Sequence, residues 1–593
     1  MKSETKTCQN CKKSFTIEPE DFEFYKKIDV PPPTWCPECR MVRRMMWRNE
    51  RSLYRRVCNA PGHSEEIISM FSQNNPFKVY DQKYWWSDGW DPMKYSKEHD
   101  FNEPFLLQFK FLFERMPALA LANGNAVNTE YANHAEGSKD CYLISAAFRN
   151  ENVLYSNRVL HTKDSLDLYL VDRLESSYQS TNCGTSYRLF FSYGCEDCSD
   201  SWLLYDCRNC QSCFGCVGLR NKSFYIFNKP YSKEEYYKFV RVLETGSWLN
   251  LQELQKKHQK LMKDFPRKYM YSFKTTNVVG DIMGETKNCY WCFDMVTVED
   301  CKFLTWGGLG IKDSYDGYGS GATAELLYEI VDTGIGGSRT KFSVVIWGGH
   351  DVQYSYNCHG STNLFGCVGL RNKQYCILNK QYSKEEYEKL APKIIQHMND
   401  MPYVDKKGRI YKYGEFFPPE LSPFAYNETI AQEYFPLTKE QALAQGYRWY
   451  DSEAKLREIT KKPEDLPDHI KDVEDSITNE VIGCLHEGTC KEQCTAAFKI
   501  IPQELQFYKK MNLPLPRLCP NCRHYQRLKQ RNPLKLWPRK CTCGGVKSDN
   551  NIYQNTSKHF HGSNHCLNEF ETSYSSDRTE IVYCEQCYQS EVV

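Results

Sequence analysis

KDCYLISAAFRNENVLYSNRVLHTKDSL, residues 139–166, is the stretch that decides the fold. Asp140-Cys141, Asn152-Val153 and Asp164-Ser165 each place a turn-forming polar residue before a small or apolar one, at 12-residue intervals. Short Val/Leu/Tyr-rich segments such as Val153-Leu154-Tyr155 lie between these marks. The rhythm continues through Glu175-Ser176, Asp197-Cys198 and Asn209-Cys210, apart from one interval of 22 that holds the weaker Ser186-Tyr187. Asn and Asp favour turns because their short side chains bond the nearby backbone. Short strands joined by such turns at so short a period read as a parallel β-solenoid. A narrow coil admits only small side chains, so its cysteines are expected to be stacked, buried and inert. A β-sandwich of many short strands is the alternative.

Moving outward, Phe214–Lys222 (FGCVGLRNK) returns 151 residues later as Phe365–Lys373. The match extends from Asn228 to Tyr236 and from Asn379 to Tyr387, so the middle of the chain is a tandem duplication. Ser232–Glu235 and Ser383–Glu386 are capping boxes that should open a helix after each copy. Glycine clusters at 307–321 and 334–337 suggest wider loops in the second copy, and 103–118 reads as an amphipathic helix.

The two ends are also duplicated. Cys8, Cys11, Cys36 and Cys39 match Cys490, Cys494, Cys519 and Cys522, and a constant offset of 483 joins Phe15/Phe498 to Cys58/Cys541. Four thiolates close a tetrahedral sphere, so each set is expected to hold a structural zinc with no open position. Binding would supply folding free energy that so small a module cannot draw from its core. Cys541, Cys543, Cys584 and Cys587 make a third set. The N-terminal copy keeps Cys58 but has Ala60, Asp81 and Tyr84 at the other places, so that site reads as lost and its fold as carried by Trp85, Trp86 and Trp90. His559, His561, His565 and Cys566, in the 20-residue excess of the C-terminal copy, could form a further metal site, but a polar loop is the favoured reading.

The pattern CxxC…Asp-x-x-Phe-Tyr-x-Lys…Pro-x-x-Cys-Pro-x-Cys-Arg-x-x-Arg-Arg, over roughly residues 7–56 and again at 489–540, resembles the bacterial "probable zinc-ribbon" domains of treble-clef type. The second copy departs from it with CxxxC in the first pair. The resemblance implies zinc binding and little else.

Each module then turns basic. Residues 40–56 hold seven Arg against one Glu, and 523–540 hold seven Lys/Arg and no acid. Arg40, Arg44, Arg48, Arg51 and Arg55, with Arg523, Arg527 and Arg531, fall at helical spacing and could contact a phosphate backbone. Against this, a net charge of +1 leaves an acidic remainder able to pair with those arginines internally.

The chain has 593 residues and 29 cysteines, and its first residues, MKSETKTCQNC, contain no apolar leader. Reduced thiols, three zinc ions and a cytoplasmic location are therefore expected. Metalloprotease, Walker and nucleophile-elbow motifs are all missing, so no catalytic residue is assigned. Asp313, Asp316, Asp351, His350 and Lys312 could cluster on the second solenoid, and His359 beside Cys358, or Cys183 or Cys195, could be invoked for nucleophilic chemistry.

The expected class is multidomain and mainly β, with two tandem parallel β-solenoid units between zinc-ribbon modules. The expected organisation is a module at 1–95, a helical linker at 96–129, solenoid units at 130–240 and 278–392 separated by a linker at 241–277, a helical segment at 393–483, and a two-site module at 484–593. The favoured function is a non-enzymatic zinc protein binding nucleic acid, RNA first. A protein-interaction scaffold and a carbohydrate-binding or carbohydrate-active β-helix are the alternatives. No membrane partner is expected.

Overall fold

The computed structural model describes residues 2–451 and 458–592; the part of the expected 393–483 segment at 452–457 lies outside them, as do residues 1 and 593 of the terminal modules. The fold is mainly strand. In the first stack, strands pair in parallel with partners 12 residues on: Asn133 with Ser145, Ser145 with Asn157, Asn157 with Tyr169 and Tyr169 with Thr181.

Within each turn a finer period governs the backbone. Every third residue is left-handed, as in Asp140, Leu143, Ala146, Arg149 and Asn152, with φ between 50° and 54°. The residue after each of these points inward, which gives the buried column Cys141, Ile144, Ala147, Val153, Val159, Leu168 and Val171. Four three-residue sides therefore make one 12-residue coil. A left-handed residue other than glycine costs roughly 1–2 kcal/mol, and bonds between coils offset it. Lys139 donates to the carbonyl of Asn150 at 2.8 Å and Tyr142 to that of Val153 at 3.1 Å. The left-handed amides point the other way, Asp140 to Val127 and Asn152 to Lys139, both at 3.0 Å.

The corners explain the apparent irregularity in the 12-residue rhythm. Asp140, Asn152, Asp164 and Ser176 lie on one column, whereas Thr185, Asp197, Asn209 and Asn221 lie on its neighbour. The interval of 22 is a step from one column to the next, not a break. Corner amides bond along a column, Asn152 to Asp164 at 2.7 Å and Asn209 to Asn221 at 2.7 Å. Inward hydroxyls are satisfied in the same manner: Ser177 donates to the Glu175 carbonyl and accepts from the Leu189 amide. The stack cysteines are all buried. Burial pushes Cys141 up to about 11 and Cys358 up to about 12, so these two thiols stay protonated.

The second stack changes its step. Thr276 pairs with Lys287 at 11 residues, Gly280 with Cys292 at 12, Tyr315 with Tyr328 at 13, and Val344 with Tyr356 at 12 again. The glycine clusters thus absorb one extra residue per coil in place of the wider loops expected. Gly321 shows why glycine is needed, because a Cβ there would sit 1.3 Å from the Gly334 carbonyl oxygen.

The duplicated FGCVGLRNK motif forms the last coils. Asn228 clamps both backbone groups of Val217, and Asn379 clamps those of Val368, at 2.7–2.8 Å. Each amide side chain thereby stands in for the missing next coil and blunts an otherwise open sheet edge. Capping boxes at Ser232/Glu235 and Ser383/Glu386 then start helices Lys233–Val242 and Lys384–Asp400.

The chain divides into two compact units. One joins Met1–Ala122 to Ser272–Asp451, the other Asn123–Tyr271 to Ser452–Val593. The N-terminal module thus folds with the second stack and the C-terminal module with the first. In the first unit, helix Phe105–Arg115 is buried through Phe105, Phe109, Leu112 and Phe113. The polypeptide after Asp400 serves as a strap: Glu415 accepts from the Thr34 amide and hydroxyl, and Ser422 donates to the Met46 carbonyl. Among the described residues, no helix is long and apolar enough to cross a membrane.

Candidate metal centres and the arginine clasps

Three cysteine quartets bring their sulfurs within 4.8 Å of one another: Cys8/Cys11/Cys36/Cys39, Cys484/Cys494/Cys519/Cys522 and Cys541/Cys566/Cys584/Cys587. Zinc–sulfur bonds of about 2.3 Å in a tetrahedron require sulfurs about 3.8 Å apart. Cys11–Cys36 is 3.7 Å, Cys484–Cys522 and Cys494–Cys519 are 3.9 Å, and Cys566–Cys584 is 3.9 Å. These distances fit a shared metal and are far too long for disulfides. The sulfurs also cannot all ionise unaided. Hydrogen bonds from Cys36, Cys484 and Cys541 hold Cys8, Cys519 and Cys584 well below the usual thiol range, while their neighbours Cys39, Cys522 and Cys587 are driven up. A divalent cation removes that conflict.

All three centres repeat one backbone device. The amide of the second knuckle's leading cysteine donates to the first sulfur: Cys36 to Cys8 at 3.2 Å, Cys519 to Cys484 at 3.3 Å, Cys584 to Cys541 at 3.2 Å. In this quartet Cys484 stands where Cys490 was expected. The Cys8 amide bonds the Lys13 carbonyl and the Gln9 amide that of Thr34; Cys484 bonds Ala496 and Leu485 bonds Arg517 in the same way. Cys484 therefore occupies the place of Cys8. A longer loop separates it from Cys494, and Cys490 lies within that loop, in a second group with His486, Glu492 and Cys522, its sulfur 3.7 Å from that of Cys522. The third set is corrected too, since Cys566 replaces Cys543 as the partner of Cys541, Cys584 and Cys587.

The N-terminal counterpart of that third centre keeps its backbone. Asp81 donates to the Cys58 sulfur at 3.3 Å, as Cys584 does to Cys541. His63 takes the position of Cys566 and lies 3.4 Å from Asp81. Cys58, Ala60, Tyr80 and Trp85 fill the remaining space, with Tyr84 and Trp90 against them.

The arginines face inward. Helix Pro37–Met45 buries Arg40, Arg43 and Arg44, and Arg48 follows it just as deeply. Arg40 and Arg44 both reach Asp316, at 2.8 and 2.9 Å; Arg43 bridges Glu329 at 2.6 Å and Glu415 at 2.8 Å, and Arg44 also meets Glu329 at 2.8 Å. Arg48 is held by Glu50 and Asp332. Asp316, Glu329 and Asp332 are left-handed corner residues of the second stack. The C-terminal module repeats the clasp: Arg523 and Arg527 meet the buried corner Asp167 at 3.2 and 2.9 Å, and Arg523 also meets Glu504 at 3.0 Å. The shared Phe-Tyr-Lys-Lys segment docks alongside, with Phe24 stacked 3.9 Å from Tyr315 and Tyr508 at 5.7 Å from Tyr178.

Five of the eight arginines assigned to phosphate contact, Arg40, Arg44, Arg48, Arg523 and Arg527, are therefore committed to interior carboxylates. The helix that was expected to align them ends at Met45, and its counterpart Pro520–Leu528 ends before Arg531. Arg51 contacts Glu433 at 3.4 Å, Arg55 lies on a strand and pairs with Glu66, and Arg531 bonds the Tyr169 hydroxyl.

The polar residues considered for catalysis are spoken for separately. Asp313 pairs with Lys27, Lys312 with Glu299, Asp351 with Arg339, and His350 with Ser338. His359 bonds Asn357 and packs against Trp86 and Trp347. Comparison of the chain with models of known protein families and with curated proteins finds no match in either.

Proposed function

We propose that this chain is a non-enzymatic scaffold: two tandem β-solenoid units, each clasped by a zinc-ribbon-like module whose metal is structural. The observation that carries this reading is the burial of Arg40, Arg43, Arg44 and Arg48 against the corner carboxylates of one stack, repeated by Arg523 and Arg527 on the other. A closed four-thiolate sphere fixes the first turn of each arginine helix, and the arginines hold the module to the coil. A nucleic-acid interface would need those guanidinia in solvent. The solenoid surface is then left as the face available to a protein partner.

The test is chelation of the purified, metal-loaded chain followed by limited proteolysis. Loss of metal should expose cleavage sites within residues 8–56 and 484–540 and then within the stacks. Metal removal that leaves the digestion pattern unchanged would sink the structural role. RNA binding whose salt slope falls when Arg40, Arg44 and Arg48 are replaced would restore the nucleic-acid reading.

A further inference from the structure

Beside the quartet of Cys541, Cys566, Cys584 and Cys587 lies a second group, Cys543, His559, His561 and again Cys587, whose ligand atoms also come within 4.8 Å of one another. We propose that the C-terminal module holds a two-zinc centre in which the Cys587 thiolate bridges the metals, the second being completed by Cys543, His559 and His561.

Distances support this. For zinc–nitrogen bonds of about 2.0 Å and zinc–sulfur bonds of about 2.3 Å, tetrahedral geometry sets nitrogen and sulfur about 3.5 Å apart. Nδ1 of His559 lies 3.5 Å from the Cys543 sulfur, and Nε2 of His561 lies 3.2 Å from the Cys587 sulfur. Each imidazole is also held from behind. His559 offers its other nitrogen, Nε2, to Glu591 at 2.8 Å, with both side chains fully buried; His561 offers Nδ1 to the Asn564 carbonyl at 2.7 Å. This is the outer-shell arrangement that fixes the tautomer of a metal-bound histidine and raises its basicity. Asn555 likewise donates to the Cys543 sulfur at 3.3 Å.

Charge and ancestry agree with the distances. Five thiolates with two neutral imidazoles around two divalent ions carry a net charge of −1. Zinc on the Cys541 quartet alone carries −2 and leaves Cys543 over. The N-terminal module has Ala60 and Tyr84 where Cys543 and Cys587 stand, and the 20-residue excess that supplies His559 and His561 is missing there. All four ligands of the second ion are thus absent together. His565 is not part of the group, because it faces Asp549 at 2.9 Å and the Cys566 carbonyl.

The experiment is zinc content per chain by elemental mass spectrometry on the full-length protein. The wild type and His565→Ala should carry four zinc ions, and the His559→Ala/His561→Ala double variant three. Three in the wild type, or four in the double variant, would overturn the proposal; the latter would place the fourth ion elsewhere, as at Cys58/His63/Asp81. Should the double variant fail to fold, zinc-edge X-ray absorption on the wild type decides. A metal–metal scattering vector is expected from a bridged pair, and its absence would refute one.

Discussion

Asp316→Asn is the substitution that probes the arginine clasp most cleanly. Asp316 is fully buried and accepts from both Arg40 and Arg44. Around it, Arg40, Arg43 and Arg44 face Asp316, Glu329 and Glu415, three positive charges against three negative. The isosteric amide leaves packing intact but turns that balance into three against two in a buried site. Breaking a buried pair by removing one partner costs about 3–5 kcal/mol. At about 1.6 °C per kcal/mol for a unit of about 300 residues, the melting temperature of the unit should fall by roughly 5–8 °C. Scanning calorimetry, with each unit's transition followed separately, would measure it. Asp313→Asn supplies the control three residues away, because Asp313 pairs with Lys27 at 3.0 Å in solvent and should cost no more than about 1 kcal/mol. Equal, small shifts for the two variants would mean that the arginines are not held as described.

Two further substitutions address other parts of the account. Cys484→Ser should remove one zinc from the C-terminal module and Cys490→Ser none, read by elemental analysis of both proteins; the opposite pattern would return the ligand to Cys490. His359→Gln should reduce acid sensitivity. Burial lowers His359 to about 3 from 6.5, with Asp332 and Arg371 acting in opposite senses, so its contribution to stability is complete above pH 6.5 and is lost as the pH falls toward 3. Between pH 7.5 and 5.5 the wild type should lose about 1.4 kcal/mol that the variant keeps. Parallel pH curves from denaturant titration would argue against a buried neutral imidazole.

Much of this architecture was legible in the residues. The turn-forming Asp and Asn before small side chains gave parallel coils of about a dozen residues, and Ser232 and Ser383 announced their closing helices. The three-residue period was harder to see, because Leu143, Tyr155, Arg158 and Phe191 occupy left-handed corners as readily as Asp140 does. Neighbouring coils enforce that conformation through their hydrogen bonds, and local preference does not reveal it. Cys484 was hidden by a lengthened loop that offered Cys490 at nearly the right spacing. The arginine rows were visible, but their partners lie some 270 residues away on Asp316 and 360 away on Asp167. Only tertiary structure brings such groups together. The same limit concealed which module clasps which stack.

The central claim is that zinc holds these arginines inside the protein, and it can be tested on the residues themselves. An arginine-selective dicarbonyl reagent, followed by peptide mass spectrometry, reports the accessibility of each guanidinium. In the metal-loaded chain Arg55, 60% exposed at its side chain, should react readily, while Arg40, Arg43, Arg44, Arg48, Arg523 and Arg527 remain unmodified. After chelation all six should become reactive. Modification of Arg40 and Arg44 at the rate of Arg55 in the metal-loaded protein would contradict the account.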